Sequence, residues 1–359
     1  MAGGRDEPRA VRAGEELDIA VLEPYLDGVL GGLEGPLSVQ QFPSGHSNLT
    51  YCLAAGEREM VLRRPPFGAA VKSGHDMGRE YRVLSGLIRV YDKVPRPLHF
   101  CEDESVIGAP FYLMERVRGI ILRGTRPKVQ LPPDRMRACC ESLVDNLVDI
   151  HAVDVEAAGL GQLGRPEGYV ERQVTGWTRR YGNARTDDLP EMESVAGWLA
   201  QNMPPVAGSS LIHNDYKYDN VVLDAADPTR IVGVLDWEMA TVGDPLMDLG
   251  TSLGYWIEAG DADRLGMLPF GPTMIEGNLG RLEVAERYAQ RSGRNLDHLL
   301  FYYVYAVFKI AVIIQQIYAR FVRGHTQDPR FAMFGVGVKL LGETAARAIE
   351  VQRIDRVWE

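Results

Sequence analysis

Residues 211–249 read LIHNDYKYDNVVLDAADPTRIVGVLDWEMATVGDPLMDL. His213, Asp215 and Asn220 stand in H-x-D-x-x-x-x-N spacing, and the apolar run IVGVLD that follows ends in Asp236. A carboxylate able to take a hydroxyl proton, followed by two hard oxygen donors, is the set that phosphoryl transfer from ATP requires. Asp215 is therefore the candidate base, and Asn220 and Asp236 are the candidate Mg2+ ligands. His213 reads as structural, its ring bracing the loop. A polar turn with Asp and Asn capping backbone groups is the competing reading. It leaves the second, carboxylate-terminated strand unexplained.

Upstream, DIAVLEPYLDGVL (18–30) suits a short amphipathic helix opened by Asp18. LSVQQF, LTYCLAA and EMVLRR then read as three strands, the first two joined by PSGHSN and the last two by a turn at Gly56. Residues 76–91 carry helical spacing, and 105–117 read as a further hairpin whose last strand holds FYLMERV. Beyond Gly119 the texture turns helical, with Met136, Cys140, Leu143, Leu147 and Ile150 on one stripe of a helix over 134–152. The first eighteen residues read as a loose leader, and Arg123–Pro133 as a mobile connection.

Hydrophobic residues make up 45% and charged residues 25% of the 359, a soluble globular balance long enough for two domains. The net charge of −10 argues against a nucleic-acid partner, which would call for a basic face. Cys52, Cys101, Cys139 and Cys140 lack CxxC spacing and a His-rich partner segment, so a reducing cytoplasm fits better than a disulfide framework or zinc site. Leu299–Ile317 approaches the length of a membrane span, yet Lys309, Gln315 and Gln316 interrupt it. It reads as a buried helix, and no membrane association is expected.

HNDYKYDN and LDWEMATVGDPLMDL closely resemble the paired motifs of the aminoglycoside phosphotransferase (choline kinase-like) superfamily. GHSNLTY, VLRRPP, GREYRVLSGL, FYLMERVRG and YVERQVTGW are similar to one branch of it, the kinase-like domains fused to some animal acyl-CoA dehydrogenases and their stand-alone actinobacterial relatives. The resemblance covers about residues 35–260. It implies an α+β, bilobed protein-kinase-like fold, with a small β-rich N-terminal lobe (1–117) and a larger, mostly helical C-terminal lobe (118–359). It also implies ATP and Mg2+ as cofactors, Asp215 as base, Asn220 and Asp236 as metal ligands, and Asp248 as a brace for the catalytic loop. Adenine would meet the main chain of Glu115 and Val117, with Met114 near the ring. The loop Ser44, Gly45, His46, Ser47 and Asn48 would cover the phosphates.

Two positions depart from the family pattern. Asn214 stands where a Gly is usual, and Arg63 where a Lys would hold the α/β-phosphates, with Glu80 as its partner. Lys217 either meets the transferred phosphate or is a solvated loop lysine. Asp244 reads as a turn cap, with contact to a second magnesium as the alternative; Trp237 and Glu238 read as packing groups near the metal, Glu238 within reach of feeling it.

The expected acceptor is a hydroxyl on a small molecule. Arg165, Arg172, Arg179, Arg180 and Arg185 favour an anionic or apolar acceptor over a polycationic one, and the family branch points to hydroxyacyl-CoA-like compounds. An aminoglycoside or macrolide kinase and a nucleotide-binding regulator with little turnover are the alternatives. Oligomeric state is not legible.

Overall fold

The structure is a computed structural model that describes residues 7–43, 48–67, 76–205, 207–326 and 328–359. The phosphate-cover residues Ser44, Gly45, His46 and Ser47 lie outside the described residues. The chain forms two compact units. Unit 1 comprises 1–121, 156–160 and 220–240; unit 2 comprises 122–155, 161–219 and 241–359. Compared with a single cut at 117/118, the division falls at 121/122 and returns two later segments to the first unit.

Unit 1 begins with α1 (Ile19–Leu30), whose first turn is capped by the Asp18 carboxylate accepting from the Ala20 N–H. Its described residues form an antiparallel five-stranded sheet in the order β1 (Ser38–Gln41), β2 (Leu49–Ala55), β3 (Arg58–Arg64), β5 (Phe111–Glu115), β4 (Pro97–Cys101). Side chains alternate across the sheet. Tyr51, Leu53, Met60, Leu62, Phe111 and Leu113 join Leu22 and Leu26 of α1 in one core. The alternate positions, including Arg63 and Tyr112, face α2 (Met77–Leu87), where Tyr81 stacks on Phe100 and Glu80 is buried.

Two expectations need correction here. The second hairpin does not start at Ser105: its first strand is β4, and 102–110 form the connection. There the Asp103 carboxylate takes the Ser105 N–H at 2.9 Å, and Gly108 adopts φ 79°, neither compatible with a strand. The leader, from Glu7 on, is tied down: Arg9 and Gln41 exchange both backbone hydrogen bonds at 2.8 Å, and Tyr51 donates to the Glu15 carbonyl.

A second element of unit 1 is the hairpin β7 (Val221–Leu223) and β8 (Ile231–Val234). Unit 2 holds α3 (Pro133–His151), α4 (Tyr169–Ala184), α5 (Pro190–Gln201) and the ladder of β6 (Ser210–Ile212) with β9 (Thr241–Gly243). It continues with α6 (Pro245–Gly254), α7 (Ala262–Leu265), α8 (Arg281–Ser292), α9 (Leu299–Val322) and α10 (Phe334–Val351). The stripe on α3 is buried as its spacing predicts. Arg123, in the segment expected to be mobile, donates to the Asp219 carbonyl at 3.3 Å.

α9 is the central element of unit 2, packed against α4, α5, α6 and α10. By length and composition it is long and apolar enough to cross a membrane; here 72% of its apolar window is buried in protein. A helix that is apolar on nearly every side must be covered on nearly every side. Contact with α6 is especially close, because a Cβ on Gly250 would lie 2.5 Å from the Tyr302 carbonyl oxygen.

Gly250→Ala therefore forces two helices apart in a fully packed region. The expected loss is about 1–3 kcal/mol of stability, read as a lower midpoint in chemical denaturation.

Candidate functional site

β7 and β8 pair Val221 with Val234, and the Leu235 N–H donates to the Asn220 carbonyl at 2.8 Å. This ladder brings Asn220 and Asp236 to one end of a single hairpin. Asp236 takes up a left-handed backbone (φ 67°, ψ 56°), a conformation that Asp tolerates better than most residues. The next residues turn at once into a short 3-10 helix, Trp237–Met239.

Arg63 reaches this end from β3. Its Nη1 lies 2.7 Å from Glu80 Oε1, and its Nη2 lies 3.0 Å from Asp236 Oδ1 and 3.4 Å from Glu238 Oε2. A planar guanidinium can span three carboxylates in this way; a lysine ammonium presents one point charge. Glu80 also accepts from the Trp237 N–H at 3.1 Å, so the α2 carboxylate holds the backbone beside Asp236. Arg79, one position earlier, donates to the carbonyls of Glu238 and Ala240 at 2.9 and 2.6 Å. The Asn48 side chain donates to Glu238 at 2.6 Å.

Burial penalises the Arg63 charge, but Glu80 and the other carboxylates outweigh it and hold the guanidinium charged, well above its ordinary range. Burial raises Glu80, and Arg63 opposes that. Among the described residues, Arg63 Nε is buried without a hydrogen-bond partner. The cluster is thus not optimised for polar satisfaction alone.

On β5, Met114 is buried and Glu115 is exposed. The Glu115 N–H donates to the Arg96 carbonyl at 2.9 Å and is committed within the unit. Val117 packs against Gly233 of β8, where a Cβ would lie 2.9 Å from its Cγ1.

In unit 2, the loop after β6 carries His213, Asn214 and Asp215. Asp248 of α6, fully buried, accepts from the N–H groups of His213 and Asn214, both at 2.7 Å, and lies 3.1 Å from His151 Nε2. His151 Nδ1 is 2.7 Å from the Tyr288 hydroxyl. Burial alone would raise the Asp248 pKa, but His151 and His213 reverse this and hold it below the usual carboxylate range. His213 accepts from the Asp215 N–H at 3.3 Å, so its ring does brace the loop. Asn214, at the usual glycine position, adopts φ 67°.

Asp215 faces Lys217, whose Nζ lies 2.7 Å from both carboxylate oxygens and 4.3 Å from the centre of the Tyr255 ring. The Tyr255 hydroxyl also bonds Asp215. Burial works against the Lys217 charge, yet Tyr255 and Asp215 together raise its pKa. It is no solvated loop lysine. Asp244 caps α6 through the Leu246 N–H at 2.8 Å, as the turn reading expects.

Around this loop and its Asp248 brace stand Tyr255 and His151, which carry no sequence signal of their own, with Tyr169, the first residue of YVERQVTGW, and Lys309, noted only as a break in an apolar run. By contrast, Arg165, Arg172, Arg179, Arg180 and Arg185 are all exposed. Arg185 pairs with Asp188 and Glu193, and Arg172 with the carbonyls of Glu167 and Arg165.

Comparison with known proteins agrees with this architecture. The protein-kinase-like fold is shared with a Ralstonia eutropha crystal structure named for the aminoglycoside phosphotransferases. That chain is 31% identical, with a TM-score of 0.79, covering 94% of this chain and 99% of its own. The structure of aminoglycoside phosphotransferase APH(4)-Ia with ADP and hygromycin B shares the fold at 16% identity, with a TM-score of 0.60, covering 91% of this chain and 98% of its own. Residues 38–287 match the family described as Phosphotransferase enzyme family (APH), and the chain belongs to it. Acyl-CoA dehydrogenase family member 10 of Mus musculus is 33% identical over 356 residues, covering 95% of this chain but only 32% of that protein. This chain thus spans about a third of that relative's length.

A lowered Asp248 pKa stabilises the folded state fully above the unfolded value near 3.9, and this stability is lost as pH falls through the lower folded value. Asp248→Asn removes one acceptor from the loop and should cost about 1–3 kcal/mol at pH 7. Its acid-denaturation curve should be flatter below pH 4 than that of the wild type.

Proposed function

We propose that this chain transfers the γ-phosphate of ATP to a hydroxyl group of a small molecule, with Asp215 as the base. The observation that carries the reading is the arrangement of Asp215: one ammonium and one phenol hold its carboxylate, on a loop whose backbone is fixed by Asp248. A carboxylate locked in one orientation can accept the proton of an approaching hydroxyl without reorganising.

The hairpin end suits magnesium. Asn220 and Asp236 offer hard oxygens, and Asp236 keeps a third of its side chain exposed. Among the described residues no group of three His, Cys, Asp or Glu could hold a metal. A two-donor site fits an ion that keeps most of its waters and uses substrate phosphates as further ligands. Bound there, Mg2+ would supply charge neutralisation at the phosphates. In unit 1, Arg63, fixed by Glu80, orients Asp236 and adds positive charge beside it; in unit 2, Lys217 adds positive charge beside the base. Asn48, which follows the segment assigned to the phosphates, donates to Glu238 of the same cluster. Met114, Glu115 and Val117 are assigned to the adenine; for Glu115 the carbonyl is the relevant group, since its N–H is in use.

For the acceptor we favour a hydroxyacyl-CoA-like compound. Support comes from the relative named as an acyl-CoA dehydrogenase family member, matched along nearly all of this chain.

A γ-phosphate transfer screen with hydroxyacyl-CoAs, aminoglycosides, macrolides and choline-like amines tests both parts. Asp215→Ala should reduce transfer by about 10²–10⁴-fold while ATP still binds, and Asp236→Ala should lose both transfer and metal-dependent ATP binding. ATP binding with no product from any acceptor would overturn the reading in favour of a regulator.

A further inference from the structure

Lys309 sits on α9 among apolar neighbours and is buried, with only 3% of its surface exposed. Its Nζ donates to the Asn214 carbonyl at 3.0 Å and lies 3.5 Å from Thr251 Oγ1 on α6. The close approach of α6 at Gly250 makes this reach possible. Asn214 is thereby held on three sides: its N–H by Asp248 at 2.7 Å, its side-chain oxygen by the Tyr169 hydroxyl at 3.3 Å, and its carbonyl by Lys309. That carbonyl belongs to the peptide whose nitrogen is Asp215. An unbranched apolar side chain would fill the same volume without taking an ammonium out of water.

We propose that Lys309 is a positioning residue for Asp215: its ammonium pins the Asn214–Asp215 peptide in the left-handed turn and offsets the negative charge of Asp215 and Asp248. The inference rests on the kinase reading for its consequence in turnover, not for its geometry. In the family pattern this turn is made by glycine, which needs no such support. Here an asparagine makes it, and the lysine is one of the three groups that keep it there.

Burial pulls the Lys309 pKa down to about 8; Asp215 and Asp248 resist, while Lys217 and Arg180 assist. The His151 ring and the His213 backbone N–H lie against Asp248 on its other sides. Loss of that proton would take the charged partner away from the pinned peptide.

Asn214–Asp215 is the sole Asn–Asp dipeptide in the sequence. Labelling Asn with 13C at the carbonyl and Asp with 15N therefore isolates one NMR signal from this peptide. In the wild type its shift should titrate with a midpoint near 8, and in Lys309→Met this inflection should vanish. No inflection between pH 7 and 9 in the wild type overturns the proposal, whether or not any acceptor is phosphorylated. In turnover, Lys309→Met should lower kcat by about 10- to 100-fold with the KM for ATP within twofold. It should also remove a fall in wild-type kcat above pH 8. Unchanged kcat and pH profile in a folded Lys309→Met protein also overturn it. Absence of turnover in the wild type would instead count against the kinase reading, leaving the NMR titration to decide the role of Lys309.

Discussion

The carboxylate of Asp248 has no access to solvent, yet it remains the partner of two backbone N–H groups and an imidazole. A buried anion is tolerable only when its oxygens are satisfied from several directions. Here that requirement joins α6, α3 and the loop after β6 into one arrangement. Displacing any of the three would strand a charge. The positive φ of Asn214 and the orientation of Asp215 are set downstream of this constraint.

Unit 1 solves a similar problem with the opposite sign. Arg63 is a buried cation, and its fork is divided among Glu80, Asp236 and Glu238. Glu80 in turn fixes the Trp237 N–H, while Arg79 of the same helix grips the carbonyls of Glu238 and Ala240. One turn of α2 thus determines where the segment after β8 can lie. The sheet contributes Arg63 because strand alternation places it opposite the core residue Leu62.

How much of this could be read from residues alone varies with the kind of signal. Strands β1 to β3 and helices α1 and α3 follow from period and caps, which are local properties. The spacing from Asn220 to Asp236 marks two strand ends because a hairpin of that length must return the chain to its start. β4 was harder: PLHFC mixes polar and apolar residues on a strand that is half-buried along most of its length, so no alternation stands out. Lys309 reads only as an interruption of an apolar run. That a backbone carbonyl lies within its reach depends on how closely two helices pack, and no local pattern records that distance. Tyr255 is silent for the same reason, since a tyrosine after a helix acquires meaning only from the aspartate it touches. The arginines of α4 stand at exposed positions, and that Arg180 acts on the charge of Lys309 is a proximity composition does not record.

The division of the chain between units has a consequence for synthesis. Unit 1 receives 220–240 only after most of unit 2's first half has been made. During N- to C-terminal synthesis, Arg63 and Glu80 are made long before Asp236, with residues 122–219 between the first unit's opening segment and its last. Domains that fold as units during translation normally finish before the next begins. Here the first unit cannot, because its last segment, 220–240, is made after unit 2 has begun.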